Sequence, residues 1–298
     1  MTGLRHLLEA SLFALLMAVT RFLPRGMVRA AGRFAGDLGR LLDRRHNAIA
    51  LANLSHALPD LDRRDREAVA RKCWRHFGEI VLDTLTFHRL GPLSIGRDVH
   101  YEGLQHLKEA HALGKGVLLF SGHFGHWELM ALMQGHIGLP LSIVARPLDN
   151  PRLEKMLATL RGSSGNTLLH KRSAVRAMLQ VIRSGGLTAL LIDQDARGDG
   201  VFAPFFGRPA STTPTLAMLA IRTGAPIVPF LTLPGADGSW KIIYLPVMLA
   251  DRNAERAGEV QRITADCTAM LEGWIRERPE LWLWMHRRWK TRPASAVE

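Results

Sequence analysis

A chain of 298 residues with 39 Lys and Arg against 27 Asp and Glu, a net charge of +12, points to an anionic partner: nucleic acid, an anionic membrane surface or a phosphorylated substrate. Its 47% hydrophobic content supports one large α/β domain, or one domain with a helical appendage, and a mean hydropathy of +0.01 excludes a polytopic membrane protein. Two cysteines, Cys73 and Cys267, without a CxxC spacing, exclude a disulfide framework and a zinc cluster and fit a reducing compartment.

Residues 7–23 are mostly apolar, interrupted by Glu9, Thr20 and Arg21. They lack a clear small-residue cleavage site, and they are short for a bilayer span, which takes roughly 20 apolar residues. Arg21, Arg25, Arg29, Arg33, Arg40, Arg44 and Arg45 follow, opposed only by Asp37 and Asp43. An apolar helix ahead of a basic stretch predicts an anchor, residues 1–25, held at an anionic membrane face. A buried helix of an ordinary soluble domain is the plainer reading. Residues 26–95 read as helical, with Asp60 and Asp62 offering N-cap chemistry before a long helix near 63–88. The catalytic region, 96–298, is expected to form one continuous domain with this helical part.

From about residue 115 the pattern changes. Short apolar runs at 116–121, 141–145, 187–192, 226–231 and 240–245 predict buried strands. Helical patterns fall between most of them, at about 126–137, 151–162, 172–184 and 213–223, with a last helix at 256–277. This alternation predicts an α/β fold: a largely parallel central sheet flanked by helices, behind an N-terminal helical membrane-associating region. Such sheets bind ligands at the carboxyl ends of their strands. His123 lies just past one predicted strand end and Asp193 just past another.

The chemistry-bearing segment is Gly122-His123-Phe124-Gly125-His126-Trp127-Glu128. On one regular helix, positions five apart point roughly 140° away from each other. His123 and Glu128 therefore share a site only if His123 sits in a loop and Glu128 in the first turns of the next helix, with Gly122 and Gly125 giving the loop its freedom. His123 would then take a proton from a substrate hydroxyl. Glu128 would accept a hydrogen bond from the other ring nitrogen and fix the tautomer. The hydroxyl would attack an activated acyl carbonyl with no covalent nucleophile on the protein. The residues leave other readings open. His123 could be a satisfied loop residue. His123, His126 and Glu128 could hold a metal, although the spacing is not HExxH. Ser121 or a cysteine could be a nucleophile, although Ser121-Gly122-His123 is not GxSxG.

This segment resembles the HX4(D/E) motif of the glycerolipid acyltransferase superfamily. It is most similar to the bacterial lipid A late acyltransferases, the lauroyl and myristoyl transferases acting on Kdo-lipid A precursors. Further matches are Asn53-Leu54, Arg146-Pro147-Leu148-Asp149-Asn150-Pro151, Asp193-Gln194-Asp195, Val201-Phe202-Ala203-Pro204-Phe205-Phe206-Gly207-Arg208-Pro209-Ala210 and Trp282-Leu283-Trp284-Met285-His286-Arg287-Arg288-Trp289-Lys290. The resemblance runs from the N-terminal helix to Lys290. It implies that His123 is the catalytic base and Glu128 its partner, and that Arg161, Asp193 and Arg146 bind substrate. Arg161 as a solvated helix-end cation, and Asp193 as a strand-end turn residue, are the bland alternatives.

The resemblance further implies an acyl thioester donor on acyl carrier protein or CoA, a lipid acceptor, no metal and no organic cofactor, at the cytoplasmic face of the inner membrane. Another membrane lipid, such as a lysophospholipid, ornithine lipid or glycolipid, remains open as acceptor, as does water in a thioester hydrolase. Phe202, Phe205 and Phe206 either line a slot for the acyl chain, where each buried CH₂ contributes about 0.8 kcal/mol, or pack a core loop. Trp282, Trp284 and Trp289, interleaved with cations, suit a membrane interface or a phosphate-bearing ligand. They would also suit nucleic acid, but no zinc spacing, RNP-type motif or basic-helix signature accompanies them, so no nucleic-acid partner is expected.

Overall fold

The computed structural model describes residues 2–145, 148–170 and 174–293. Four helices come first: α1 (Thr2–Thr20), α2 (Arg25–Leu42), α3 (Arg44–Ala57) and α4 (Arg63–Thr84). Pro24 ends the connection after α1. The Asp43 carboxylate accepts from His46 N to cap α3, and that of Asp62 accepts from Asp65 N to cap α4. α4 stops at Thr84, short of the expected 88, and the chain turns through a short 3₁₀ segment at Phe87–Arg89.

Helices α2 and α4 pack backbone to backbone. A Cβ at Gly36 would lie 2.2 Å from Trp74 O, and one at Gly78 would lie 2.2 Å from Gly32 O. Only glycine permits that approach, so α2 turns its smallest residues inward.

The α/β part follows with β1 (Val99–Glu102), α5 (Leu104–Ala112), β2 (Val117–Ser121), α6 (Trp127–His136), β3 (Leu141–Ala145), α7 (Pro151–Gly162), β4 (Thr167–His170), α8 (Ala174–Arg183) and β5 (Leu187–Leu191). A hairpin of β6 (Val201–Phe205) and β7 (Arg208–Thr212) precedes α9 (Thr215–Thr223), β8 (Ile227–Pro234), β9 (Trp240–Tyr244) and α10 (Arg256–Glu277). The main sheet has seven strands in the order β1-β9-β8-β2-β5-β3-β4, and every neighbouring pair is parallel except β8–β9.

β2 is buried along its whole length. Val117 and Leu119 enter one core with Phe230 and Trp240, whereas Leu118 and Phe120 enter another with Ile227 and Ile263. Both faces of the sheet are covered, which is why this strand reads as an unbroken apolar run. A third core joins the helical part to the rest: Leu54 of α3 and Cys73 of α4 pack with Phe124, Phe205, Leu271 and Trp282.

Candidate active site

The parallel pairing of β2 with β5 aligns the site. Its register sets Ser121 beside Leu191, and two residues further along each chain stand His123 and Asp193. The Asp193 carboxylate is fully buried and accepts three hydrogen bonds. His123 N donates to Oδ2 at 2.7 Å, the His123 ring donates from Nδ1 to Oδ1 at 2.8 Å, and Trp282 Nε1 donates to Oδ2 at 2.8 Å. The Asp193 backbone carbonyl accepts from His286 Nε2 at 2.9 Å. With Nδ1 carrying the proton, Nε2 of His123 keeps its lone pair, and the Gln194 amide nitrogen stands 3.5 Å from it.

Burial opposes the His123 imidazolium. The charge and hydrogen bond of Asp193, with the charge of Glu128, outweigh that and hold its pKa above the ordinary 6.5. Burial likewise raises Asp193, and His123 and His286 more than reverse it, so Asp193 stays ionised far below the usual carboxylate range.

The loop carrying His123 is clamped. Gly125 N donates to Leu281 O at 3.0 Å and Leu283 N donates to His123 O at 3.1 Å, around a bridge between Phe124 and Trp282. Gly125 has φ +59°, and a Cβ there would sit 1.8 Å from Thr232 O. The histidine is therefore set by rigid backbone on both sides.

The expected hydrogen bond from His123 to Glu128 is not formed, and this corrects the sequence reading of how the pair is wired. Glu128 lies in the first turn of α6, and both its oxygens are taken by Arg161 at the end of α7, Nε at 2.9 Å and Nη2 at 2.5 Å. A guanidinium fork matched to a carboxylate is a strong bidentate contact. Trp127, edge-on to the His123 ring at 5.0 Å, stands next to this pair in sequence. Arg161 and Glu128 are each more than four-fifths buried, and burial, which disfavours the guanidinium, is overridden by Glu128. Arg146, also expected to bind substrate, lies outside the described residues.

Burial decides between readings that the sequence leaves open. Of the slot and the core loop, Phe205 and Phe206 take the second and pack in the hairpin core against Trp282, Trp284 and Trp289. Trp282 and Trp284 are wholly buried rather than interfacial, and Arg288 among them donates to Ser211 O and Thr212 Oγ1 at 2.6 and 2.5 Å. Residues that the sequence flagged only as motif matches thus support Asp193: Trp282 and His286 directly, and Asn53 by donating to Trp284 O and His286 O, both at 2.8 Å. His126 turns away from the site toward buried Asp83, 3.7 Å distant. Among the described residues no group of three metal-ligating side chains gathers. Ser121 is fully buried, and burial pushes the thiols of Cys73 and Cys267 up to about 12, which leaves none of them a nucleophile.

An imidazole aligned by a buried carboxylate thus stands near a Glu–Arg pair at the strand ends of a largely parallel α/β sheet, where such folds place their ligand sites. The chain matches the family described as bacterial lipid A biosynthesis acyltransferase over residues 2–291 and belongs to it; it is an acyltransferase. It is 31% identical over 256 residues, 84% of its length and 79% of the relative's, to a lipid A biosynthesis acyltransferase of Haemophilus influenzae. It is 28% identical to the lipid A biosynthesis lauroyltransferase of Escherichia coli K12, across 91% and 88% of the two chains. The myristoyltransferase of the same organism is 24% identical, across 90% and 81%.

Proposed function

We propose that this protein transfers a fatty acyl chain from a thioester donor, acyl carrier protein or CoA, to a hydroxyl of a lipid A precursor, with His123 as general base. The observation that carries the reading is the His123 ring, hydrogen-bonded to buried Asp193 through Nδ1 and free to accept a proton at Nε2. His123 Nε2 takes the hydroxyl proton as the acceptor oxygen attacks the thioester carbonyl carbon. The tetrahedral adduct collapses with cleavage of the C–S bond, and the imidazolium returns the proton to the leaving thiolate. Asp193 holds the tautomer and stabilises the imidazolium.

In this reading Glu128 holds the Arg161 guanidinium in place, and Arg161 with Arg146 meets the phosphate of the acceptor. No metal or organic cofactor takes part. The enzyme works on the cytoplasmic face of the inner membrane, anchored by α1. Among the described residues, 3–20 form the one helix long and apolar enough to cross a bilayer, with mean hydropathy 1.3 and only 11% of it buried.

Mass spectrometry of lipid A and total lipids from a deletion strain tests this. The expected result is a lipid A lacking one ester-linked chain. An unchanged lipid A with a chain missing from a phospholipid, ornithine lipid or glycolipid would reassign the acceptor. With the purified enzyme, His123→Ala is expected to lose roughly 10²–10⁴-fold in transfer, the usual contribution of a positioned general base. Free fatty acid released at the same rate with and without lipid acceptor would mark a hydrolase instead.

A further inference from the structure

We infer that α2 is a second membrane-contacting helix, lying in the plane of the headgroup region of an anionic bilayer with its apolar face toward the acyl chains. A surface helix of a soluble protein buries its apolar stripe and shows its polar one. In α2 this is reversed. Its inward face is Val28, Arg29, Gly32 and Gly36, and the last two meet the backbone of α4 at distances that admit no side chain. Its large apolar residues, Met27, Phe34, Leu38, Leu41 and Leu42, recur at helical spacing on the opposite face, with Phe34 71% and Leu42 74% exposed. Eighteen residues of helix make a strip about 27 Å long. An uncovered apolar patch of that extent marks a binding surface.

Two features name the occupant as lipid. The strip follows α1 in the chain, which itself leaves Leu4, Leu8, Leu12 and Leu15 exposed, and the connector between the two helices presents Phe22, 88% exposed. Arginines also bracket it. Arg21 before the helix, and Arg44 and Arg45 after it, are exposed and make no ion pair among the described residues. Cations at the rim of an apolar strip match anionic headgroups, and a helix so built sits about 5–10 Å into the boundary between headgroups and chains. The inference rests on the membrane association proposed for α1, and the two can be separated by experiment.

The full-length enzyme would be labelled with an environment-sensitive fluorophore at Phe34→Cys, and separately at Leu12→Cys in α1; both native thiols are buried. It would be mixed with vesicles of phosphatidylethanolamine and phosphatidylglycerol in equal parts, containing lipids brominated near the top or near the end of the chains. The label at position 34 is expected to shift to the blue and to be quenched more by shallow than by deep bromines. Replacing both Arg44 and Arg45 by Gln is expected to weaken partitioning of the protein, by about fivefold for each arginine removed (about 1 kcal/mol per basic residue). Quenching at position 12 with none at 34 would overturn the role of α2 and leave the α1 anchor standing. Quenching at neither would overturn both. A blue shift at 34 without vesicles, growing with protein concentration, would assign the face to a second copy of the chain and overturn the lipid.

Discussion

For His123 to take a proton its Nε2 must be unprotonated, so kcat/KM should rise with pH through the imidazole titration, with an inflection above 6.5. Two carboxylates raise that inflection, and they do so unequally. Asp193 acts by charge and by a hydrogen bond to Nδ1, whereas Glu128 acts by charge alone while tied to Arg161. Asp193→Asn removes the larger contribution and leaves burial to dominate, so the inflection should fall below the ordinary imidazole value. The plateau rate should drop by roughly 10³–10⁴-fold, the scale seen when an orienting aspartate is lost from a histidine triad. Glu128→Gln should move the inflection down by less. A pH profile of each variant decides the matter: if Glu128 were the orienting partner, the order of the two shifts would reverse. The histidine was legible from its loop glycines and strand-end position, and so was Asp193 as a candidate. Their partnership was not, because the HX4E spacing draws attention to the carboxylate nearest in sequence. The true neighbour is brought in by the register of two parallel strands, which becomes visible only when the apolar runs at 117–121 and 187–191 are laid side by side.

Among the elements, the pairing of α2 with α4 makes the sharpest demand on sequence. Gly36→Ala places a methyl group where Trp74 O now lies, at 2.2 Å, so the helices must move apart. The expected loss is roughly 1–3 kcal/mol, as for other overpacked contacts, measured by denaturant unfolding in detergent. Gly26→Ala on the same helix is the control: nothing lies within 4 Å of its Cβ, so no loss is expected there. Equal stability of the two variants would refute close packing through Gly36. Central strands and long helices were readable because each carries a full apolar signal; 141–145, 151–162 and 256–277 coincide with β3, α7 and α10. The strands that escaped notice, β1 and β4, are the two edges of the sheet, where Val99-His100-Tyr101-Glu102 and Thr167-Leu168-Leu169-His170 mix polar residues into a short run. The hairpin β6–β7 escaped for a different reason. Its Phe and Pro content suggests a ligand-lining loop as readily as a strand pair, and only the packing of Trp282 and Trp289 on Phe205 decides between them.

Across the whole molecule, the helical region and the catalytic sheet share a core and a hydrogen-bond relay. Leu54 and Cys73 pack with Phe124, the residue after His123, and with Trp282, which donates to Asp193. Asn53 of α3 holds the carbonyls of Trp284 and His286, and His286 in turn donates to the Asp193 carbonyl. A helix far from His123 in sequence thus fixes the carboxylate to which the His123 ring is hydrogen-bonded. Asn53→Ala leaves two carbonyls without their donor, at an expected cost of roughly 1–3 kcal/mol in stability. Because the relay ends on Asp193 and touches no substrate, the same variant should lower kcat while leaving KM close to that of the wild type. Thermal unfolding should remain a single transition at a lower midpoint, since no part of this core belongs to one region alone. Two resolved transitions, with the midpoint of only the first lowered, would show that the helical region folds apart from the catalytic sheet and that Asn53 does not couple them.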